Sequence, residues 1–157
     1  MKNDTANLRE AKEPELLFRY FTELGIIAQL SSSLFESVLP NGLTNAQFGV
    51  LNWFSRVDSE ASPGRLATAF QVTKGAMTNT LKKLEAKQLI EVSPDPNSGR
   101  KKRVTLTSKG KQQREQALAL AGPLFEELSS QLDTEALGAQ LPDLENLRIF
   151  LDERRYR

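Results

Sequence analysis

The chain has 157 residues, of which 39% are hydrophobic and 26% are charged, and this predicts one folded unit with its own core. It contains no cysteine and no histidine, which excludes thiol chemistry, disulfides, Cys/His zinc sites and histidine bases. Because the sequence also lacks nucleotide-binding and serine-hydrolase motifs, we expect a protein that is not an enzyme, with no catalytic residue, metal or cofactor. It has no signal peptide and no membrane-length apolar run, so we expect a cytoplasmic protein with no membrane partner.

The net charge of +1 is distributed unevenly along the chain. Residues 63–111 contain eleven lysines and arginines but three acidic residues, so this segment carries +8 and the rest of the chain carries −7. A basic middle with acidic flanks favours a surface that binds a polyanion, although isolated basic clusters are more often simply solvated.

The first predicted element is a long helix over residues 14–39, closed by a Pro-Asn-Gly turn at Pro40. Apolar residues recur there at three- and four-residue steps from Leu17 to Val38. Three more apolar residues lie off this stripe, namely Leu16, Ile26 and Leu30. Such a helix needs cover on more than one side, and in a small chain the second cover can be another subunit.

Three shorter helices are predicted next. A capping box at Thr44 opens a helix that ends near Arg56, and residues 57–62 are predicted to be a loop. Ser62 and Pro63 are the N-cap and first residue of a short helix, and Thr73 caps the following helix over residues 74–87. Two short helices joined by a tight turn form a helix-turn-helix pattern.

The helix over residues 74–87 has one polar face with small residues at its start. Its members at helical spacing are Lys74, Gly75, Thr78, Asn79, Lys82 and Lys83. Small residues let the backbone approach DNA, Asn and Lys donate hydrogen bonds to base edges, and a helix N-terminus favours phosphate. Taken alone, the same face fits a helix that only packs on the core and exposes its polar side.

A hairpin with a basic arm is predicted after this helix. A strand over residues 89–92 is followed by a turn rich in proline and glycine at 93–99 and by a second strand at 104–106. Four consecutive cations precede the second strand, namely Arg100, Lys101, Lys102 and Arg103. Such a wing can lie along the DNA backbone or enter a minor groove, although cations on an exposed hairpin also protect against aggregation.

Four segments together resemble the MarR family of winged helix-turn-helix regulators over about residues 44–111. They are residues 72–81, residues 84–87, the wing from Pro94 to Arg100, and Leu106 to Gly110. The resemblance implies a homodimer that reads a pseudo-palindromic operator in double-stranded DNA and is released by a small aromatic ligand. The sequence departs from the family pattern at Ser98, where an aspartate is usual in the wing, and at Gln88, where glycine is usual and a left-handed turn is expected.

Two further helical regions are predicted at the C-terminus. Thr107 or Ser108 caps a helix that extends to about Gln131, with a kink or break at Gly122-Pro123, and Asp133 caps a last region that Pro142 divides. The fold class is therefore mainly α with a small β-wing. A winged-helix lobe at 44–107 would be joined to a helical dimerisation lobe at 14–43 and 108–154. A shared dimer core is favoured over an intramolecular core for these helices, and the residues predicted for it are Leu17, Phe21, Leu24, Leu144, Leu147 and Leu151.

The leading functional hypothesis is a dimeric, sequence-specific transcriptional repressor. Thr78, Asn79 and Lys82 would read bases, and Arg100 would enter the minor groove. The predicted phosphate contacts are Lys74, Lys83, Lys101 and Lys102. The alternatives are a non-specific architectural DNA-binding protein and a winged-helix module that binds an acidic protein. Aromatic residues that could line a ligand cavity, but that more commonly form core, are Phe18, Phe21, Trp53, Phe54 and Phe70.

Overall fold

A computed structural model describes residues 13–154, which are mainly helical with one small antiparallel sheet, as predicted. In chain order the elements are α1 (Glu13–Glu36), a 3-10 turn (Pro40–Gly42), α2 (Asn45–Arg56), β1 (Glu60–Ala61), α3 (Pro63–Ala69), α4 (Lys74–Ala86), β2 (Ile90–Asp95), β3 (Ser98–Leu106), α5 (Ser108–Gln131) and α6 (Thr134–Arg154). Over these residues, no helix combines the length and the apolar character required to cross a bilayer.

The chain divides into two compact units at the bond between Leu120 and Ala121, within α5. In the first unit the core lies among α2, α3, α4, the sheet and the start of α5. Its most completely buried large side chains are Leu51, Leu66, Leu84, Leu89, Val50 and Val104. This core holds the helix-turn-helix and the hairpin in a fixed relation to each other.

The helix N-termini lie where the capping residues predict them. The side chains of Thr44, Ser62 and Thr73 accept hydrogen bonds from the backbone N–H groups three residues later, at the starts of α2, α3 and α4. Thr107 does the same for α5, and Asp133 for α6. Each cap satisfies a backbone donor that has no partner within its helix.

Two predictions about connections are wrong. The first helix ends at Glu36, not at residue 39, because a separate 3-10 turn follows it and Asn41 and Gly42 in that turn have positive φ. The predicted loop at 57–62 contains β1, whose Glu60 and Ala61 lie opposite Thr105 and Val104 of β3. The sheet is therefore three-stranded, with β3 in the centre.

The hairpin strands are longer than predicted. β2 extends to Asp95, and β3 begins at Ser98, so the four cations lie within a strand and not before it. A register shift between Pro94 and Asp95 accommodates the proline, which has no N–H to donate to the ladder. The turn is closed by the backbone N–H of Asn97, which donates to the Asp95 carboxylate at 2.9 Å.

The expected interruptions of the last two helices do not occur. α5 continues through Pro123, and α6 continues through Pro142. A proline in a helix interior removes one backbone hydrogen bond and crowds the preceding turn, but the turns on either side keep their own bonds. A break at Gly122-Pro123 and the predicted division at Pro142 are therefore wrong, whereas a kink at Gly122-Pro123 stays a prediction.

Candidate nucleic-acid interface

The polar face predicted for the helix-turn-helix is the exposed face of α4. Met77, Leu81 and Leu84 are buried and fix the rotation of the helix about its axis. All six residues predicted to contact DNA from α4 lie exposed on the other side, namely Lys74, Gly75, Thr78, Asn79, Lys82 and Lys83. The structure therefore brings this part of the predicted site together on one accessible surface.

The side chains of this face have hydrogen-bonding capacity left for a ligand. Between residues 13 and 154, no hydrogen bond or ion pair engages the side chain of Asn79 or Lys82. The Thr78 hydroxyl donates to the Lys74 carbonyl at 2.8 Å, so its oxygen can still accept. A β-carbon on Gly75 would meet nothing closer than 4.0 Å, which leaves the helix start open for close approach.

α4 is held at each end by a residue in the left-handed region. Gln71 before the helix has φ 54°, and Gln88 after it has φ 61°, as expected for the position where the family usually has glycine. At the C-terminal end, the Lys87 ammonium donates to the carbonyls of Asn41 and Gly42 and to the Gln47 side chain, at 2.9–3.3 Å. The direction of α4 is therefore tied to the turn that joins α1 to α2.

Three of the four wing cations lie exposed on β3, namely Arg100, Lys101 and Lys102. With Glu85 of α4, they line a cavity of about 270 Å³ between the helix and the wing. The cations are thus on the same side of the unit as the end of α4. Glu85 is the only acidic residue among those that line this cavity.

Arg103 has a different environment from the other wing cations. It is half-buried, and its Nη1 lies 3.3 Å from Oε2 of Glu60 on β1. This ion pair joins the base of the wing to the edge strand. Sequence reasoning missed it because the segment around Glu60 was predicted to be a loop. The pair of Glu60 and Arg103 lies at the base of the wing. The aspartate that the family usually has at the position of Ser98 would lie near the wing tip.

Arg65, one of the cations of the basic segment, is also engaged within the protein. Its Nη1 donates to Oδ2 of Asp58 at 2.6 Å, and its guanidinium lies 5.2 Å from the centre of the Trp53 ring. The hydrogen bond from Arg65 is the main reason why the pKa of Asp58 lies below its ordinary value. This contact fixes the start of α3 against α2 and the segment before β1.

The five aromatic residues proposed for a ligand cavity have different environments. Phe54 is buried, and Trp53 and Phe70 are half-buried against the core, with the Trp53 and Phe54 rings 5.3 Å apart. Phe18 and Phe21 lie exposed on α1. Phe54, Trp53 and Phe70 therefore fit the interpretation as core residues, which the sequence already favoured over a ligand cavity.

The residues predicted for dimerisation are incompletely covered in the single chain. Leu17, Phe21 and Leu151 are exposed, and Leu24, Leu144 and Leu147 are half-buried. None of the 24 residues of α1 is buried, and nine of its large apolar side chains are exposed, including Phe18 with 77% of its surface accessible. An apolar helix surface of this extent is unusual on a monomer.

In comparisons with known proteins, one family profile matches part of the chain, and the similar solved structures share one fold. A sequence profile of the MarR family matches residues 41–101. A mutant MarR from E. coli, solved in complex with operator DNA, is 27% identical, with 87% of this chain and 99% of that chain covered and a TM-score of 0.76. The transcriptional regulator BldR from Sulfolobus solfataricus is 25% identical over 87% of this chain and 99% of its own, with a TM-score of 0.72.

A third similar structure, BpsR from Bordetella bronchiseptica, shares the fold at 24% identity. The match covers 83% of this chain and 98% of that chain, with a TM-score of 0.72. No curated protein sequence matches the chain. The predicted winged-helix fold is confirmed by these matches.

Proposed function

We propose that the chain is a MarR-family winged-helix regulator, namely a sequence-specific repressor that binds a pseudo-palindromic operator as a homodimer. The observation that carries this proposal is the exposed face of α4 beside the exposed cations of β3. The likeness to a MarR structure in complex with operator DNA supports double-stranded DNA as the partner.

The side chains of this surface suit different parts of a DNA duplex. Thr78, Asn79 and Lys82 project from the exposed face of α4, which fits the width of a major groove, and would contact base edges. Arg100, nearest the wing tip, would enter the minor groove, where negative potential is concentrated. The remaining exposed cations would contact phosphates, namely Lys74, Lys83, Lys101 and Lys102.

A homodimer is supported by the uncovered apolar surface of α1. A 24-residue helix with no buried residue gains little stability from its own chain, so a second copy is the simplest cover for Leu17, Phe21 and their neighbours. A two-fold axis would also place two copies of α4 on successive turns of the DNA. Release by a small aromatic ligand is a proposal that comes from the family resemblance.

The test is a comparison of two duplexes at about 150 mM salt by fluorescence anisotropy. An operator is first selected from a random duplex library, and its affinity is compared with that of a scrambled duplex of equal length. A specific regulator should prefer the operator by ~10³ or more. Equal affinities, with no sequence enriched in the selection, would indicate an architectural protein. Failure to bind either duplex at low salt would indicate a protein-interaction module.

Two variants test the assignment of Asn79 to a base contact and of Lys101 to a phosphate contact. Asn79→Ala should weaken operator binding by roughly 1 to 3 kcal/mol and leave the affinity for scrambled DNA almost unchanged. Lys101→Ala should weaken both duplexes by a similar factor, because a phosphate contact carries no sequence information. Lys111→Ala on α5 is the matched control for loss of a charge outside this surface. If Asn79→Ala lowers both affinities equally, Asn79 does not read bases.

A further inference from the structure

The C-terminal end of α4 is fastened to a distant part of the chain by the side chain of Lys87. Its ammonium donates to the carbonyl oxygens of Asn41 and Gly42, at 3.3 and 2.9 Å. Its third hydrogen bond is to Oε1 of Gln47, at 3.0 Å. An ammonium has three protons, so these bonds satisfy all of them, and none of the acceptors is charged. Lys87 is therefore engaged within the protein, unlike the exposed cations of the same helix.

The acceptors of the Lys87 ammonium are themselves held in place. Asn41 and Gly42 have positive φ values of 54° and 62°, and the turn that they form directs both carbonyls to one nitrogen. The Asn41 amide donates to Oε1 of Gln113 on α5 at 2.8 Å. Gln47 on α2 has only 4% of its surface exposed. The ammonium is thus bonded to the turn after α1, to α2 and, through Asn41, to α5.

The chain just after α4 is also held by the start of α5. The Thr107 hydroxyl donates to the Gln88 carbonyl at 2.8 Å, and the Thr107 N–H donates to the Leu89 carbonyl at 3.2 Å. Gly110 lies so close to the Leu89 carbonyl that a β-carbon would overlap it. One end of α4 is therefore fixed by α5 and by the turn after α1, and both belong to the predicted dimerisation lobe.

The base-reading residues lie on the other half of α4. Asn79 precedes Lys87 by eight residues, a distance of about 12 Å along the helix axis. A tilt of about 5° at the Lys87 end would therefore move Asn79 by roughly 1 Å. An N–H···O hydrogen bond forms over a range of only about 0.5 Å, so this displacement is enough to break a contact with a base edge. Contacts between flexible lysines and phosphates tolerate it, because an ammonium acts as a point charge.

We propose that Lys87 is a positioning residue for base recognition, whose ammonium fixes the tilt of α4 relative to α2 and the turn after α1 without contacting DNA. Because Lys87 would act on the base-reading face, this proposal rests on the proposed function. It places one determinant of sequence specificity outside the DNA-binding surface. Loss of the Lys87 bonds should lower specificity and leave the sequence-independent affinity for DNA almost unchanged.

The experiment compares two variants that break the bond between Lys87 and Gln47 from opposite sides. Lys87→Met removes all three donors and should weaken binding of the selected operator about tenfold, since base contacts in both half-sites are affected. Gln47→Met removes one acceptor at a buried position without a change of charge, and should give a smaller loss in the same direction. Neither variant should change the affinity for the scrambled duplex by more than about twofold.

Two further variants complete the comparison. The double variant should bind the operator no more weakly than Lys87→Met alone, because the two side chains act through one bond network. Lys111→Met is the matched control for the loss of one positive charge on α5, outside the proposed DNA-binding surface. It should leave the ratio of the operator and scrambled affinities unchanged.

A measurement without DNA separates this proposal from the proposed function. Residual dipolar couplings of the α4 amides in the free protein report the orientation of α4 relative to α2. These couplings should change in Lys87→Met and stay unchanged in Lys111→Met. If the unmodified chain shows no preference for any operator, the proposed function fails, and the dipolar couplings alone decide whether Lys87 sets the orientation of α4.

Two results would overturn the proposal. If Lys87→Met weakens both duplexes equally while Gln47→Met has no effect, Lys87 contacts phosphate directly. If the dipolar couplings of α4 do not change in Lys87→Met, the packing of the buried side chains of α4 fixes the helix without Lys87. Unfolding midpoints show whether each variant is folded at the assay temperature, and Lys87→Gln replaces Lys87→Met if the latter is not.

Discussion

Two cations on β3, Lys101 and Arg103, should affect DNA binding in different ways. The Lys101 side chain is exposed on the wing, whereas the Arg103 guanidinium lies 3.3 Å from the carboxylate of Glu60. The four lysines proposed to contact phosphates, together with Arg100, make five cationic contacts per protomer. These would give a dimer a log–log salt slope of about −9, since each contact contributes about 0.9. Lys101→Ala removes two contacts per dimer and should reduce the slope to about −7.

Arg103→Ala should leave that slope near −9, because it removes an ion pair within the protein and no phosphate contact. It should instead weaken DNA binding by the same factor at every salt concentration, since the base of the wing loses its link to β1. Glu60→Gln breaks the same ion pair from the other side and keeps Arg103, so it is the matched variant. It should reproduce the effect of Arg103→Ala.

The assay is anisotropy of the labelled operator at a series of salt concentrations from about 50 to 250 mM, a range over which phosphate contacts change the affinity strongly. Lys111→Ala controls for the change in net charge. If Arg103→Ala lowers the slope as much as Lys101→Ala does, then Arg103 leaves Glu60 and contacts phosphate in the complex. The assignment of Arg103 to the base of the wing would then be refuted.

Three further predictions concern stability and assembly. A β-carbon at Gly110 would overlap the Leu89 carbonyl, so Gly110→Ala should destabilise the fold by about 1–3 kcal/mol in urea unfolding, whereas Gly138→Ala, in open space on α6, should not destabilise it. Because Arg65 lowers the pKa of Asp58, this pair stabilises the fold fully above the ordinary aspartate value of about 3.9 and progressively less as the pH falls below it. Asp58→Asn should remove that part of the pH dependence of the urea midpoint. Identical pH profiles for the Asp58→Asn variant and the unmodified chain would contradict this. Leu17→Glu should convert the proposed dimer to monomer in light scattering, whereas Leu17→Met should not; a dimeric Leu17→Glu chain would exclude α1 from the interface.

The parts of the fold that local signals specify could be predicted from the sequence. The caps at Thr44, Ser62 and Thr73 each act over three residues, and the exposed face of α4 follows from the spacing of its buried residues. The positive φ of Gln88 was expected from the family pattern and occurs in the structure. These features depend on residues within one or two helical turns of each other.

The missed features depend on residues far apart in the chain. β1 has two residues, and it is a strand only because Ala61 lies opposite Val104. The contacts of the Lys87 ammonium join residues 40 to 46 positions apart, so no local pattern indicates them. The same holds for the pair between Glu60 and Arg103, which depends on β1 itself. α5 also continues through Pro123, where the local Gly-Pro signal favoured an interruption.

The central position of β3 has a consequence for mutational screens. Val104 is fully buried and lies between Ala61 on one side and Val92 on the other, whereas Lys102 lies opposite Pro94 alone. Amide hydrogen exchange should therefore be slow at Val104 and fast at Lys102 in the absence of DNA. Substitutions that unfold the protein and substitutions that weaken DNA binding by a folded protein should occur within a few codons of each other on this one strand.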